Sequence, residues 1–237
     1  EELRRRLTRS AIAVALATAV AFAFADHVFN ILKAPAGSIE LVFIEMTEML
    51  STYVKVCIAS GIVLSMPYLA YQFFAFVAPA LTDREKRYLY IILPWVTGMF
   101  LCGVVFAYFV LLPPAINVLL NFGSDIATPQ IRVGNYISLV TRITVITGIL
   151  FELPVVTTFL SRLGIISPRW LAQRRKAAIL LSFILAAIVT PTTDPVNQAL
   201  IAGTMIALFE MSIWLAKIFQ RRQVPRTALP RPTTVKS

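Results

Sequence analysis

The sequence predicts an all-α polytopic membrane protein with six transmembrane helices, and three observations carry that prediction. Hydrophobic residues make up 58% of the 237 and charged residues 14%, with a mean hydropathy of +0.77, which is too apolar for a soluble domain. The apolar residues gather in six runs divided by short polar loops. The basic residues behind the net charge of +10 sit in alternate loops rather than on one soluble face, so the excess reports membrane topology and no nucleic-acid surface.

The runs extend from Ser10 to Phe29, Tyr53 to Val77, Tyr88 to Leu112, Tyr136 to Leu160, Ala177 to Val189 and Ala199 to Phe219. The first four are long enough for a hydrocarbon core of ~30 Å. The fifth holds about 13 residues, roughly 20 Å of helix, and the sixth reaches Lys217 after about 18. The last two helices are therefore expected to be short, with the bilayer thinned around them. All but Lys33, Lys55, Arg132 and Arg142 of the 22 basic residues flank one side, which puts both termini in the cytoplasm. The first run is too long for a cleavable signal peptide and has no small-residue cleavage site. Residues 1–220 read as one transmembrane domain. From 221 to 237, Pro225, Pro230, Pro232 and scattered basic residues read as a disordered cytoplasmic tail.

Local signals mark the boundaries. Thr82-Asp83-Arg84-Glu85 has the form of a capping box opening the third helix. Gly164 suits a helix C-cap, and Ser167-Pro168 an N-cap followed by proline, beginning a short interfacial helix to about Arg175. Pro67, Pro94, Pro113-Pro114 and Pro154 lie in or at the ends of spans, where they kink helices. Cys57 and Cys102 fall inside spans and behave as small apolar side chains. With His27 the only histidine and no phosphate-binding loop, no metal site, cofactor or nucleotide is expected.

Glu152 is the costliest residue in the chain, because an ionisable group inside the membrane needs a cavity or a partner. Thr141, Thr144, Gly148 and Glu152 fall on one helical stripe, small and polar, while Ile143, Ile146, Ile149 and Leu150 form the opposite face and suit lipid. The stripe reads as a hydrophilic groove. Hydrogen-bonding between helices is the equal alternative, and a proton- or cation-coupled secondary transporter using Glu152 is the rival function. The absence of an internal repeat weakens that rival.

Five segments together resemble the TatC family, the polytopic receptors of twin-arginine protein translocation. They are Glu2-Leu3-Arg4-Arg5-Arg6-Leu7, the stretch from Phe76 through Pro79 and Glu85 to Arg87, Phe106-Ala107-Tyr108-Phe109 with Pro113, Gly148 to Pro154, and Thr190-Pro191 through Asp194 to Gln198. Each motif is weak alone; their order and spacing over nearly the whole chain make the match specific. Met49 departs from the pattern where a proline often follows the loop glutamate, as does one extra residue between Pro191 and Asp194.

The resemblance implies a cupped six-helix receptor that binds twin-arginine signal peptides of folded cargo. It also implies assembly with single-span TatA/TatB-type partners in the lipid bilayer, self-association in a larger complex, and transport driven by proton-motive force without catalytic residues. It carries Glu2 and Glu85 over as the signal-binding acidic pair, with Leu3, Arg4, Phe76 and Pro79 shaping the site, and Thr190 and Gln198 as a cluster that binds a partner helix. The chemistry agrees, since planar guanidiniums pair with carboxylates by a fork that lysine lacks, and Glu1, Glu2, Asp83 and Glu85 are the acidic groups on the basic face. The bland alternatives are the capping box for Glu85, an i,i+4 pair with Arg6 for Glu2, and interhelix hydrogen bonds for Thr190 and Gln198. Asp194 reads as a turn residue, Glu210 as a partner for Lys217, and Lys55, Arg132 and Arg142 as snorkelling side chains.

Overall fold

A computed structural model describes residues 2–37, 41–77, 83–121, 130–189 and 195–220, without the side chains of 77, 83–91, 120, 121, 219 and 220. Ten α-helices are described: α1 (Glu2–Ala23), α2 (Ala25–Lys33), α3 (Met46–Val77), α4 (Asp83–Phe106), α5 (Leu112–Asn121), α6 (Val133–Leu150), α7 (Leu153–Arg162), α8 (Pro168–Gln173), α9 (Arg175–Val189) and α10 (Pro195–Gln220). A 3-10 turn, Ala34–Ala36, follows α2, and a π-turn, Ala107–Leu111, joins α4 to α5. Two short strands, β1 (Leu41–Val42) and β2 (Ile131–Arg132), pair in parallel with Leu41 opposite Ile131.

Among the described residues, five helical stretches are long and apolar enough to cross a membrane: Glu2–Ala23, Met46–Phe76, Ile92–Leu119, Val133–Arg162 and Pro195–Ile218. The chain is a membrane protein with several spanning helices. α9 is short, as expected, at 15 residues, roughly 22 Å. α10 is not: it runs for 26 residues, because its helix starts at Pro195, ahead of the apolar pattern, with proline in the first turn where it lacks no needed donor. The polar residues of that turn are satisfied, Asn197 Nδ2 donating to the Ala115 carbonyl (3.3 Å) and Gln198 Nε2 to that of Phe183 (3.2 Å).

Two of the expected spans are broken. The first turns at Phe24, between α1 and α2. The fourth breaks at Phe151-Glu152, where the Glu152 N–H reaches back only to Ile149 (3.1 Å), and Pro154 in the first turn of α7 removes a donor the continuous helix would need. The π-turn lies just before Pro113-Pro114, a usual place for the extra residue that lets a helix pass proline, whereas Pro67 and Pro94 sit inside unbroken helices. Gly164, at φ +74°, closes α7, and Ser167 Oγ accepts from the Trp170 N–H (3.1 Å) to open α8; both caps stand where the sequence puts them. The Thr82 capping box and the 221–237 tail lie outside the described residues.

α6 is the central helix, packed between α3 and α4. Gly148 lies against the Phe100 ring and Gly103 against Gly148 and Phe151, so close that a Cβ on either glycine would fall 2.8 Å from a neighbouring atom; small residues let these helices approach without lipid between them. Enclosure on several sides corrects one expectation: Ile143 is buried in the core and Ile146 and Leu150 are partly covered, leaving Ile149 the exposed member of the supposed lipid face.

Candidate functional site

Antiparallel packing of α1 and α2 on α3 sets the first site. Gly61 of α3 meets Thr18 of α1, where an added Cβ would lie 2.8 Å from the Thr18 Cα. Further along, Tyr53 Oη donates to Asp26 (2.8 Å) and the Tyr53 ring stacks on Phe29 at 5.2 Å. Every step forward in α1 is thus matched by a step back in α3, and carrying that register to the start of α1 sets Leu3 level with Phe76, each about 22 Å from the Thr18–Gly61 contact. Both side chains are exposed. Glu2 forms the i,i+4 pair with Arg6 (2.7 Å) while remaining 57% exposed, so the pair leaves its carboxylate open to a second cation. Arg4 is exposed, and its carbonyl accepts from Thr8 Oγ1 (2.8 Å). Glu85 falls in the first turn of α4; its side chain and Pro79 lie outside the described residues.

The intramembrane stripe divides in two. Thr141 and Thr144 line a groove of about 360 Å³ with Ala21, Val28, Ser60, Val104 and further residues of α1–α4 and α6. Its walls are nearly all apolar, which corrects the expectation of a hydrophilic groove: the threonines are the polar marks on a surface shaped for hydrocarbon. Gly148 and Glu152 lie beyond it, Gly148 as the contact with Phe100 and Glu152 buried at the helix break, 7% exposed. Neither carboxylate oxygen of Glu152, nor the hydroxyls of Thr141 and Thr144, has a hydrogen-bond partner among the described residues. Leaving such groups unpaired in the interior is costly, so this stripe is where an incoming polar group has most to offer.

At the hairpin of α9 and α10, Gln198 is tied to the Phe183 carbonyl, the interhelix bond anticipated for it; Thr190 and Asp194 lie outside the described residues. Glu210 does not pair with Lys217. Arg175 at the start of α9 holds it with two nitrogens, Nε at 2.8 Å and Nη2 at 2.9 Å, because the antiparallel neighbour offers a fork that a lysine on the same helix cannot.

Sequence reasoning missed a clamp at the end that carries β1 and β2. Glu48, 8% exposed, accepts from the Ile44 N–H (3.1 Å), the Gly134 N–H (3.0 Å) and Arg132 Nη2 (3.0 Å), while Arg132 also reaches Glu45 (3.0 Å). Arg132 is therefore an ion-pair partner rather than a snorkelling side chain, and the two carboxylates hold its pKa above the ordinary value. Gly134 makes room, since a Cβ there would lie 2.9 Å from Glu48 Oε1. Beside the clamp, Tyr108 and Tyr136 donate to the carbonyls of Ile31 (2.8 Å) and Leu32 (3.1 Å), satisfying the open end of α2.

Fold and sites together define a class, a polytopic helical membrane protein with a buried carboxylate at a broken helix and its charged groups gathered at two ends. Residues 1–203 match the family model described as Sec-independent protein translocase protein (TatC), and the chain belongs to the TatC family. The Sec-independent protein translocase proteins TatC of Carboxydothermus hydrogenoformans and Aquifex aeolicus are 38% and 39% identical over 225 and 228 residues, each covering 94% of this chain and 93% and 94% of the relative. A crystal structure of the twin arginine translocase receptor TatC superposes with a TM-score of 0.85 at 39% identity, over 93% of this chain and 98% of that one. The transporter reading finds no support in these matches.

Proposed function

We propose that this chain is the receptor subunit of twin-arginine protein export. Its cytoplasmic face binds signal peptides bearing consecutive arginines, and it assembles with single-span TatA/TatB-type proteins to pass folded cargo across the prokaryotic inner membrane, drawing on the proton-motive force. The observation that carries the reading is the α1–α3 register, which sets the Glu2-Leu3-Arg4 segment level with Phe76 at the end of the molecule where α4 opens with Glu85. Family membership supports it. Glu2 and Glu85 supply the two carboxylates for two guanidiniums, and Leu3, Phe76 and Pro79 supply apolar contact beside them.

In this topology both termini are cytoplasmic and α9 completes a six-span cup over residues 1–220. The exclusion of most basic residues from the β1–β2 end supports that orientation. The chain acts by binding rather than covalent chemistry. Thr190 and Gln198 take a partner helix, and the unpaired groups of Thr141, Thr144 and Glu152 offer hydrogen bonds to a helix or signal hairpin lying in the cup, with Gly148 the small residue between them. Glu2→Ala and Glu85→Ala should each reduce crosslinking to a twin-arginine signal peptide while the protein still inserts and folds. Glu85→Gln separates charge from helix capping, since glutamine also serves a capping box. Wild-type crosslinking in both alanine variants would refute the assignment.

A further inference from the structure

A second groove, about 660 Å³, opens near the β1–β2 end between α5 and α6. Asn135, Ser138 and Arg142 of α6 stand on its wall at i, i+3 and i+7, one face of the helix. Ile116 and Leu119 of α5 and Leu139 of α6 form its apolar side. Arg142 lies nine residues into α6, roughly 14 Å along the helix from its start. It is exposed and has no ion pair among the described residues. Lys55 of α3 reaches the same wall, its Nζ donating to Ser138 Oγ (3.2 Å), and it too has no carboxylate partner among them. Arg132, the third cation of this end, is already held by Glu45 and Glu48.

Two cations without a carboxylate partner among the described residues, on adjacent membrane-crossing helices beside an apolar trough, offer a place for an anion that reaches this depth. A phospholipid brings a phosphate at the head, which a guanidinium pairs by charge-assisted hydrogen bonds, and acyl chains for the trough. We infer that Arg142 and Lys55, with Asn135 and Ser138, form a binding site for an anionic phospholipid in the leaflet on the β1–β2 side. The guanidinium takes the phosphate, the amide and hydroxyl take ester or head-group oxygens, and one chain lies along Ile116, Leu119 and Leu139. This site is independent of the receptor reading.

The test uses the full chain purified in detergent, exposed to equal amounts of phosphatidylglycerol and phosphatidylcholine, with retained lipid counted by native mass spectrometry. Wild type should retain phosphatidylglycerol preferentially. Arg142→Gln should lower that retention about tenfold, the weight of one charge-assisted hydrogen bond, and shrink the excess over phosphatidylcholine, whose choline cation offsets its phosphate; Arg142→Lys should restore part of it. Lys55→Gln, a second variant away from α6, should lower it in the same direction, and Arg9→Gln on the opposite face should not. Inorganic phosphate in excess should displace nothing. Equal retention in wild type, Arg142→Gln and Lys55→Gln, or displacement by inorganic phosphate, would overturn the site.

Discussion

Replacing Gly61 by alanine should damage signal-peptide binding from the middle of the membrane. The new Cβ would sit 2.8 Å from both the Cα and the N of Thr18, at least 0.6 Å inside the 3.4 Å at which ordinary contact begins. Those are backbone atoms on a helix, so no rotamer relieves the clash and α1 must move away from α3. Overpacking of this kind costs about 1–3 kcal/mol, and the cost is concentrated where small residues let two membrane helices touch. The shift should propagate to the far end, where the register sets Leu3 level with Phe76. The assay pairs thermal unfolding in detergent with crosslinking of cysteines placed at positions 3 and 76. Gly61→Ala should lower the unfolding temperature and slow the crosslink, whereas Gly203→Ala, whose Cβ would meet nothing within 4 Å, should be neutral or slightly stabilising through helix propensity. Unchanged unfolding and crosslinking in Gly61→Ala would refute the register.

Three further outcomes follow from the other sites. Gly134→Ala forces a Cβ to 2.9 Å from Glu48 Oε1 and should destabilise the fold by about 1–3 kcal/mol; Glu48→Gln, which keeps an acceptor but loses the Arg132 charge pair, should loosen the same end, and limited proteolysis of the β1 and β2 loops would show it. At the helix break, Glu152→Gln should retain most cargo export and Glu152→Ala should lose it, because an amide still hydrogen-bonds; equal loss at matched expression would point to a titrating carboxyl instead. Cysteines at 190 and 198 should crosslink to the transmembrane segment of a single-span partner in intact complexes, and labelling there by lipid-facing probes alone would contradict a partner site.

Five spans were legible because a bilayer imposes one coarse requirement, a long apolar run, that sequence displays directly. The caps at Gly164 and Ser167 were legible for the same reason, since one residue and its neighbours determine them. The Glu48–Arg132–Gly134 clamp was not, because its partners lie 84 and 86 residues apart and Gly134 resembles any glycine near a helix start. Glu210 was assigned the wrong cation because a same-helix candidate was visible and Arg175 on the antiparallel neighbour was not. The stripe through Glu152 was expected as one uniform groove, but α6 ends at Leu150 and only Thr141 and Thr144 line the apolar groove. Periodicity says which residues share a side; it does not say that Phe100 covers Gly148 or that α3 and α4 enclose Ile143.

Recognition of the guanidinium fork of consecutive arginines by Glu2 and Glu85 is the proposal on which the receptor function rests. Equilibrium binding of two otherwise identical signal peptides to the purified chain, one bearing Arg-Arg and one Lys-Lys, tests it most directly. The account predicts capture of the Arg-Arg peptide, at least tenfold weaker binding of the Lys-Lys peptide from loss of bidentate pairing, and collapse of that difference in the Glu2→Ala/Glu85→Ala double variant. Equal affinity for the two peptides in the wild-type protein would contradict it.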